Sequence, residues 1–352
     1  MKRVAKRRKW KWLWPAALLA LPLAAGCTAA KVDTGSAPID PPPSGVEEEM
    51  LAAADAPASN EDGLTVYLLD RNGYLAPMTL RQDGQADAKK TPFETAIAWM
   101  TAGSGLESQL PPGFTPVLPK GTKVSSIQAD EKAGTVAIDF AAPLPPIPAN
   151  QERKAVEALV WTMTEQPGIR EVRLTVGGQP LQQMPASGLP LGASLSRAMG
   201  INLELAKGAD ITRSMAVTLY FSARSQDGES YFVPVTRLVN RQQDVAQAAL
   251  EQLIQGPADT KALQPVLPAE MTVEKLSRLA DTVDVSLRDD GWKSGTPVPA
   301  AMMQALVLTM TETTGVPQVR VAMNGDNALV DSNDETYDQP VTRPTGINAL
   351  SQ

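Results

Sequence analysis

The strongest constraint on this chain is that it repeats itself. Residues 158–165 read ALVWTMTE and residues 305–312 read ALVLTMTE, agreeing at seven of eight positions at an offset of 147. The same offset pairs Thr135-Val136 with Thr282-Val283, Val172-Arg173 with Val319-Arg320, and Gly178 with Gly325. With small gaps the match extends upstream: Leu118-Pro119 answers Leu267-Pro268, and Tyr74, Pro77 and Thr79 answer Tyr231, Pro234 and Thr236. Both copies also close alike, on Arg197, Gly200, Ile201 and Asn202 against Arg343, Gly346, Ile347 and Asn348. A unit of about 140 residues is too long for a solenoid repeat and suits a domain. Two homologous domains are therefore expected, at 63–206 and 213–352.

Reading the two copies side by side gives the elements of one. Residues 64–69 and 217–221 are short and rich in β-formers, and a polar turn leads from each into a second strand at 74–80 and 231–239. Pro77 and Pro234 push that second strand toward a sheet edge, because proline cannot donate to a ladder. Residues 93–101 and 244–255 carry apolar side chains three and four apart, as a helix requires. A second hairpin is expected at 123–140 and 272–287. The repeated helix then places Val156, Leu159, Val160 and Met163, or Met303, Leu306, Val307 and Met310, in one apolar stripe. A last strand follows at 172–176 and 319–323. The order β-β-α-β-β-α-β predicts an α+β fold: a small mixed or antiparallel sheet with two helices packed on one face, built twice.

The N-terminus is of another kind. Residues 1–26 carry seven bases and no acid, and their apolar stretch runs from Trp12 to Leu23. That order of basic, apolar and small residues is the pattern of an export signal. The stretch is shorter than the roughly 20 residues a membrane-spanning helix needs, and Pro15 and Pro22 interrupt it. Cys27, the only cysteine in the chain, follows Leu23-Ala24-Ala25-Gly26. This resembles the lipobox of bacterial lipoproteins, whose cysteine is acylated (palmitate-type chains) after cleavage. An uncleaved anchor, or a plain cleavage site beside a chance cysteine, are the alternatives. Residues 27–62 hold five prolines and the run Glu47-Glu48-Glu49. That composition predicts a disordered tether. Cys27 is thus the expected lipidation site, and the expected location is the outer face of the cell membrane.

Composition removes whole classes of chemistry. The chain has no histidine, so no Ser–His–Asp triad, Cys–His pair or His-ligated metal site can be built from it. A single cysteine allows no intrachain disulfide. Without the first 26 residues, 25 bases face 39 acids, a net charge of −14 that nucleic acid would repel. No nucleic-acid partner is expected.

The duplicated pattern resembles the GerMN domain of the GerM family of sporulation and spore-germination lipoproteins. The residues that carry the resemblance are VPVTRLV at 233–239, LIQGP at 253–257, the Leu-Pro turns, the two TMTE helices and the closing VRVAMNG strand at 319–325. It covers about 64–350, and the second copy matches better than the first. What the resemblance implies is a non-catalytic role: a membrane-tethered assembly factor of the envelope complex between mother cell and forespore. Its domains resemble the small ring-building domains of secretion-type channels. The expected partners are the membrane, through the lipid anchor, and proteins of that complex, with peptidoglycan as a further candidate. The resemblance supplies no catalytic residue, and no cofactor or metal is expected. Alternatives are a peptidoglycan- or solute-binding lipoprotein, or the lipoprotein partner of a sensor kinase.

Three groups of polar residues stand out. Glu165 and Glu312, with Thr162, Thr164, Thr309 and Thr311, either form a paired acidic site or lie on a solvated helix end; the second reading is preferred. Arg197 and Arg343 are read as fastening each copy's tail, since Gly-Ile-Asn marks a backbone turn. Asp326, Asn327, Asp331, Asn333, Asp334 and Glu335 are oxygen-rich but lack calcium-loop spacing, so a solvated acidic loop is expected. Trp99 and Trp161, on helices, are expected to pack rather than to bind sugar.

Overall fold

In the computed structural model the described residues are 63–81 and 90–349. The export segment, Cys27 and the tether lie outside the described residues.

Each copy has the expected element order. In the first, β1 (Gly63–Leu69) and β2 (Leu75–Arg81) form a hairpin, followed by α1 (Pro92–Met100), β3 (Val124–Asp130), β4 (Thr135–Phe140), α2 (Ala149–Met163), β5 (Glu171–Val176) and the short β6 (Gln179–Pro180). After a linker strand, β7 (Glu204–Leu205), the second copy runs β8 (Ser214–Arg224), β9 (Ser230–Asn240), α3 (Val245–Gln255), β10 (Thr272–Leu279), β11 (Thr282–Arg288), α4 (Ala300–Thr314), β12 (Gln318–Met323) and β13 (Val341–Thr342). Among the described residues the architecture is α+β with mixed sheets and four helices. Among the described residues, no helix is long and apolar enough to cross a membrane.

The strands of each copy divide between two sheets. One is the hairpin. The other is four-stranded, in the order β3-β4-β5-β6 or β10-β11-β12-β13. Its middle pair is parallel, joined by the long helix as a crossover. The register repeats with the sequence: Val136 faces Val172, and Val283 faces Val319. A bulge falls at the same place in both outer strands, between Val124 and Ser126 and between Val273 and Lys275.

Local chemistry sets the helix bounds. Thr91 and Glu94 form a reciprocal capping box at the start of α1, and the Asp244 carboxylate accepts from Ala246 N–H and Gln247 N–H at the start of α3. Gly315, at φ 68°, closes α4 in the left-handed conformation. The expected stripes on α2 and α4 are buried, but burial is wider than a stripe. Ala155 to Met163 of α2 are all buried, because that helix packs on the β1–β2 hairpin as well as on β5. Trp99 and Trp161 are core residues, as expected.

The two copies share one hydrophobic core, which runs from Leu64 in β1 to Tyr337 beyond β12. All described residues fall in one compact unit.

Candidate functional site: the junction between the copies

The repeated polar residues converge where the copies meet. β2 and β9 approach each other edge to edge but do not pair. Pro77 and Pro234 lie on the facing edges and have no N–H to offer, so a continuous ladder cannot form there. Into the gap run the two closing segments, each placed against the opposite copy.

The hydrogen bonds obey a pseudo-twofold relation. Asn202 donates from its amide nitrogen to the carbonyls of Leu75, 2.7 Å, and Pro234, 2.8 Å, and accepts from Leu75 N–H at 2.9 Å. Asn348 donates to the carbonyls of Phe232, 2.9 Å, and Pro77, 2.8 Å, and accepts from Phe232 N–H at 2.7 Å. Beside them, Ile201 exchanges bonds with Thr236 of the other copy: Ile201 N–H donates to Thr236 Oγ1, and Thr236 N–H donates to the Ile201 carbonyl. Ile347 exchanges the same two bonds with Thr79. Both asparagines have positive φ, 48° and 56°, a conformation asparagine tolerates better than most residues.

The ends of the repeated helices meet next to this clasp. Glu165 accepts from Arg197 at 2.7 Å and lies 3.6 Å from Arg343; Glu312 lies 2.6 Å from Arg197 and 3.2 Å from Arg343. Each arginine therefore touches the carboxylates of both copies. The four side chains are only 11–21% exposed. Tyr67 donates its hydroxyl to Glu165 at 2.8 Å, and Arg343 donates to the hydroxyl of Tyr220 at 2.8 Å. Arg197 also lies over the Trp161 ring, 4.5 Å from its centroid, and donates from Nε to Thr164 Oγ1.

The electrostatics suit a fastener. Burial pushes the Glu165 carboxyl up, but the guanidiniums of Arg197 and Arg343 outweigh it and hold the group below the ordinary carboxylate value. Burial works against the Arg197 charge, and Glu165 and Glu312 more than reverse that, raising it well above its usual value. Burial also pushes the Tyr220 hydroxyl up to about 12. A carboxylate held ionised by two guanidiniums is a poor proton donor at neutral pH and a weak acceptor. An open cleft of about 630 Å³ flanks the cluster, lined in part by Thr65, Glu165, Arg343 and Thr345.

These positions correct two expectations and sharpen a third. Glu165 and Glu312 are not a solvated helix end. They are brought together, and two arginines balance them. Thr162 and Thr309 are fully buried: their hydroxyls accept from Tyr67 N–H at 2.9 Å and Tyr220 N–H at 3.0 Å, satisfying the outer edges of β1 and β8. Arg197 and Arg343 do fasten the tails, but across the copies. The acidic loop is also corrected at one residue. Asp331 is fully buried, accepting from Asn333 N–H, Glu335 N–H and the Tyr337 hydroxyl. Sequence reasoning missed Tyr67, Tyr220, Thr79 and Thr236 as junction residues. The signal was present, since Thr79 and Thr236 repeat with the rest of the pattern and Tyr67 and Tyr220 recur in the first strand of each copy.

Comparison with known proteins places the chain in a family. Residues 65–182 and 218–328 each match the family described as Germane, sporulation and spore germination. The chain belongs to this family. The two matched segments fall on the two copies. The chain is 30% identical to the spore germination protein GerM of Bacillus subtilis strain 168, over 94% of this chain and 95% of that protein. It also resembles the solved tandem GerMN domains of the sporulation protein GerM from Bacillus subtilis, with a TM-score of 0.74 at 30% identity, covering 81% of this chain and 99% of that one. Family membership gives the chain a role in sporulation or germination.

Proposed function

We propose that this chain is an extracytoplasmic lipoprotein, held on the cell membrane through Cys27, that acts without catalysis as an assembly factor. Its partners are proteins of an envelope complex between mother cell and forespore. The observation that carries this reading is the junction. The recurring pairs Glu165 and Glu312, Arg197 and Arg343, Thr79 and Thr236, and Asn202 and Asn348 are spent on holding the copies to each other. What supports an assembly role is that such a fastening yields one body with two related surfaces in fixed relation, as a scaffold needs and a hinged binding protein does not. The acidic balance of the exported part favours a basic partner surface.

The test is a pull-down from sporulating cells with the intact chain and a Cys27→Ala form, using vegetative cells as control. Recovery of envelope-complex proteins only during sporulation, weakened in Cys27→Ala, is the expected result. Recovery of cell-wall fragments alone, equal in both growth states, would replace this reading with wall binding.

A further inference from the structure

The two halves of the junction are symmetric in backbone but unequal in grip. The first closing segment, Arg197 to Asn202, has three holds from α2. Arg153 donates to the Met199 carbonyl at 3.0 Å, Asn202 N–H donates to Glu157 at 3.1 Å, and Trp161 Nε1–H donates to the Gly200 carbonyl at 3.1 Å. The 147-residue offset puts Ala300, Gln304 and Leu308 at these positions on α4. Alanine and leucine have no side-chain hydrogen bond to give, and glutamine carries no charge; against these three holds the second segment has a bond of its own, from Thr79 Oγ1 to the Ile347 carbonyl at 2.9 Å. The first segment is also the covalent bridge between the copies and continues into β7, which pairs with β9. The second segment, Arg343 to Asn348, lies outside that bridge, so its release leaves the link between the copies in place.

We propose that the second segment is a releasable strap, and that its seat is a binding site for a Gly-Ile-Asn strap donated by a second copy of the chain. The seat comprises the Pro77 carbonyl, Thr79 and the backbone of Phe232. It recognises its ligand by shape and hydrogen bonds: a small residue against Thr79, a buried isoleucine, and an asparagine amide that spans two strand edges. Gly346 fits the first demand, because a Cβ there would lie 3.3 Å from Thr79 Cγ2. Exchange of straps between two chains preserves the junction bonds of the strap, so it joins two molecules without a new interface. This proposal shares the junction with the assembly reading but does not depend on it, and Arg197 to Asn202 keeps the two copies in fixed relation while the second strap exchanges.

The test uses the full chain in a Cys27→Ala background, which removes its only cysteine. An ideal Cβ on Gly346 lies 3.6 Å from Thr79 Cβ, within the range a disulfide spans. The Thr79→Cys, Gly346→Cys double variant is therefore expected to close within one chain on oxidation, which verifies fold and seat. Thr79→Cys is expected to react with a thiol reagent about 10-fold or more faster than Thr236→Cys, because the holds from Arg153, Glu157 and Trp161 act on the first segment alone and outweigh the Thr79–Ile347 bond on the second. Mixed single variants, Thr79→Cys with Gly346→Cys, are expected to give a disulfide-linked heterodimer that grows with concentration. Its yield should exceed that of Thr79→Cys paired with Leu279→Cys, an exposed control site. Equal labelling at the two seats would overturn release. Faster labelling with no excess heterodimer would overturn exchange between chains, and failure of the double variant to close would remove the seat itself.

Discussion

Asn202 and Asn348 are equivalent residues that do the same work in opposite directions: each takes hold of a strand edge in its own copy and reaches one carbonyl of the other. Asn202 is buried and Asn348 half-buried. Replacing Asn202 with alanine strips three bonds and leaves Leu75 N–H without its partner where water has little access. A loss of about 2–4 kcal/mol in unfolding free energy is expected. Asn348→Ala should cost less, about 1–2 kcal/mol, because water can stand in for the amide. Denaturant titration of both variants checks the order, and a larger loss for Asn348→Ala would contradict it.

Thr162 and Thr309 anchor the repeated helices to the first strand of each copy. Valine keeps their shape and removes the acceptor, leaving Tyr67 N–H or Tyr220 N–H buried and unpaired. Each Thr→Val change is expected to destabilise by about 1–3 kcal/mol. Serine, which keeps the hydroxyl, should recover part of that loss. Thermal unfolding of the Val and Ser pair at either site distinguishes a hydrogen bond from packing alone.

The fold was largely written in the local pattern, and the junction was not. Duplication, element order and the apolar stripes follow from spacing, and they reappear with matching registers. Periodicity, however, reports which face of a strand is buried, not which strand lies beside it. The division of each copy into a hairpin and a mixed sheet was therefore not readable. Thr162 shows the same limit. On a helix flank it reads as solvated, and only the arrival of β1 buries it. Pro77 and Pro234 did declare an edge position, but not that the two edges face each other. The clue to the junction was repetition itself: Glu165 with Glu312, and Arg197 with Arg343, recur because each set completes the other.

The reciprocal clasp makes the two copies depend on each other without depending on the linker. Residues 203–213 join them through exposed positions such as Leu203, Leu205 and Ile211, the last 66% exposed. A protease site placed after Ala209 is expected to allow cleavage while the halves stay together, eluting as one species at neutral pH. Combining that cut with Asn202→Ala and Asn348→Ala should separate them. Halves that part after the cut alone would mean that the clasp contributes little to holding the copies together.

The charge cluster sets a pH signature. The Glu165 carboxyl is held below its unfolded value of about 4.3. A group depressed on folding contributes stability that is complete above the unfolded pKa and is lost as pH falls through the folded one. Glu165→Gln removes that titration and leaves Arg197 and Arg343 to share Glu312. The variant is expected to be less stable than the natural chain at pH 7, and the gap should narrow as pH falls below about 4. On the alkaline side, the Tyr220 hydroxyl is raised to about 12. A group raised on folding contributes stability below its unfolded pKa of about 10, lost as pH rises through the folded value. Tyr220→Phe should therefore show a flatter alkaline limb, with phenolate absorbance reporting the titration directly. Unfolding free energies across both limbs decide the matter. A Glu165→Gln gap that stays constant from pH 7 to pH 3 would show that Arg197 and Arg343 do not hold the carboxylate in its charged form.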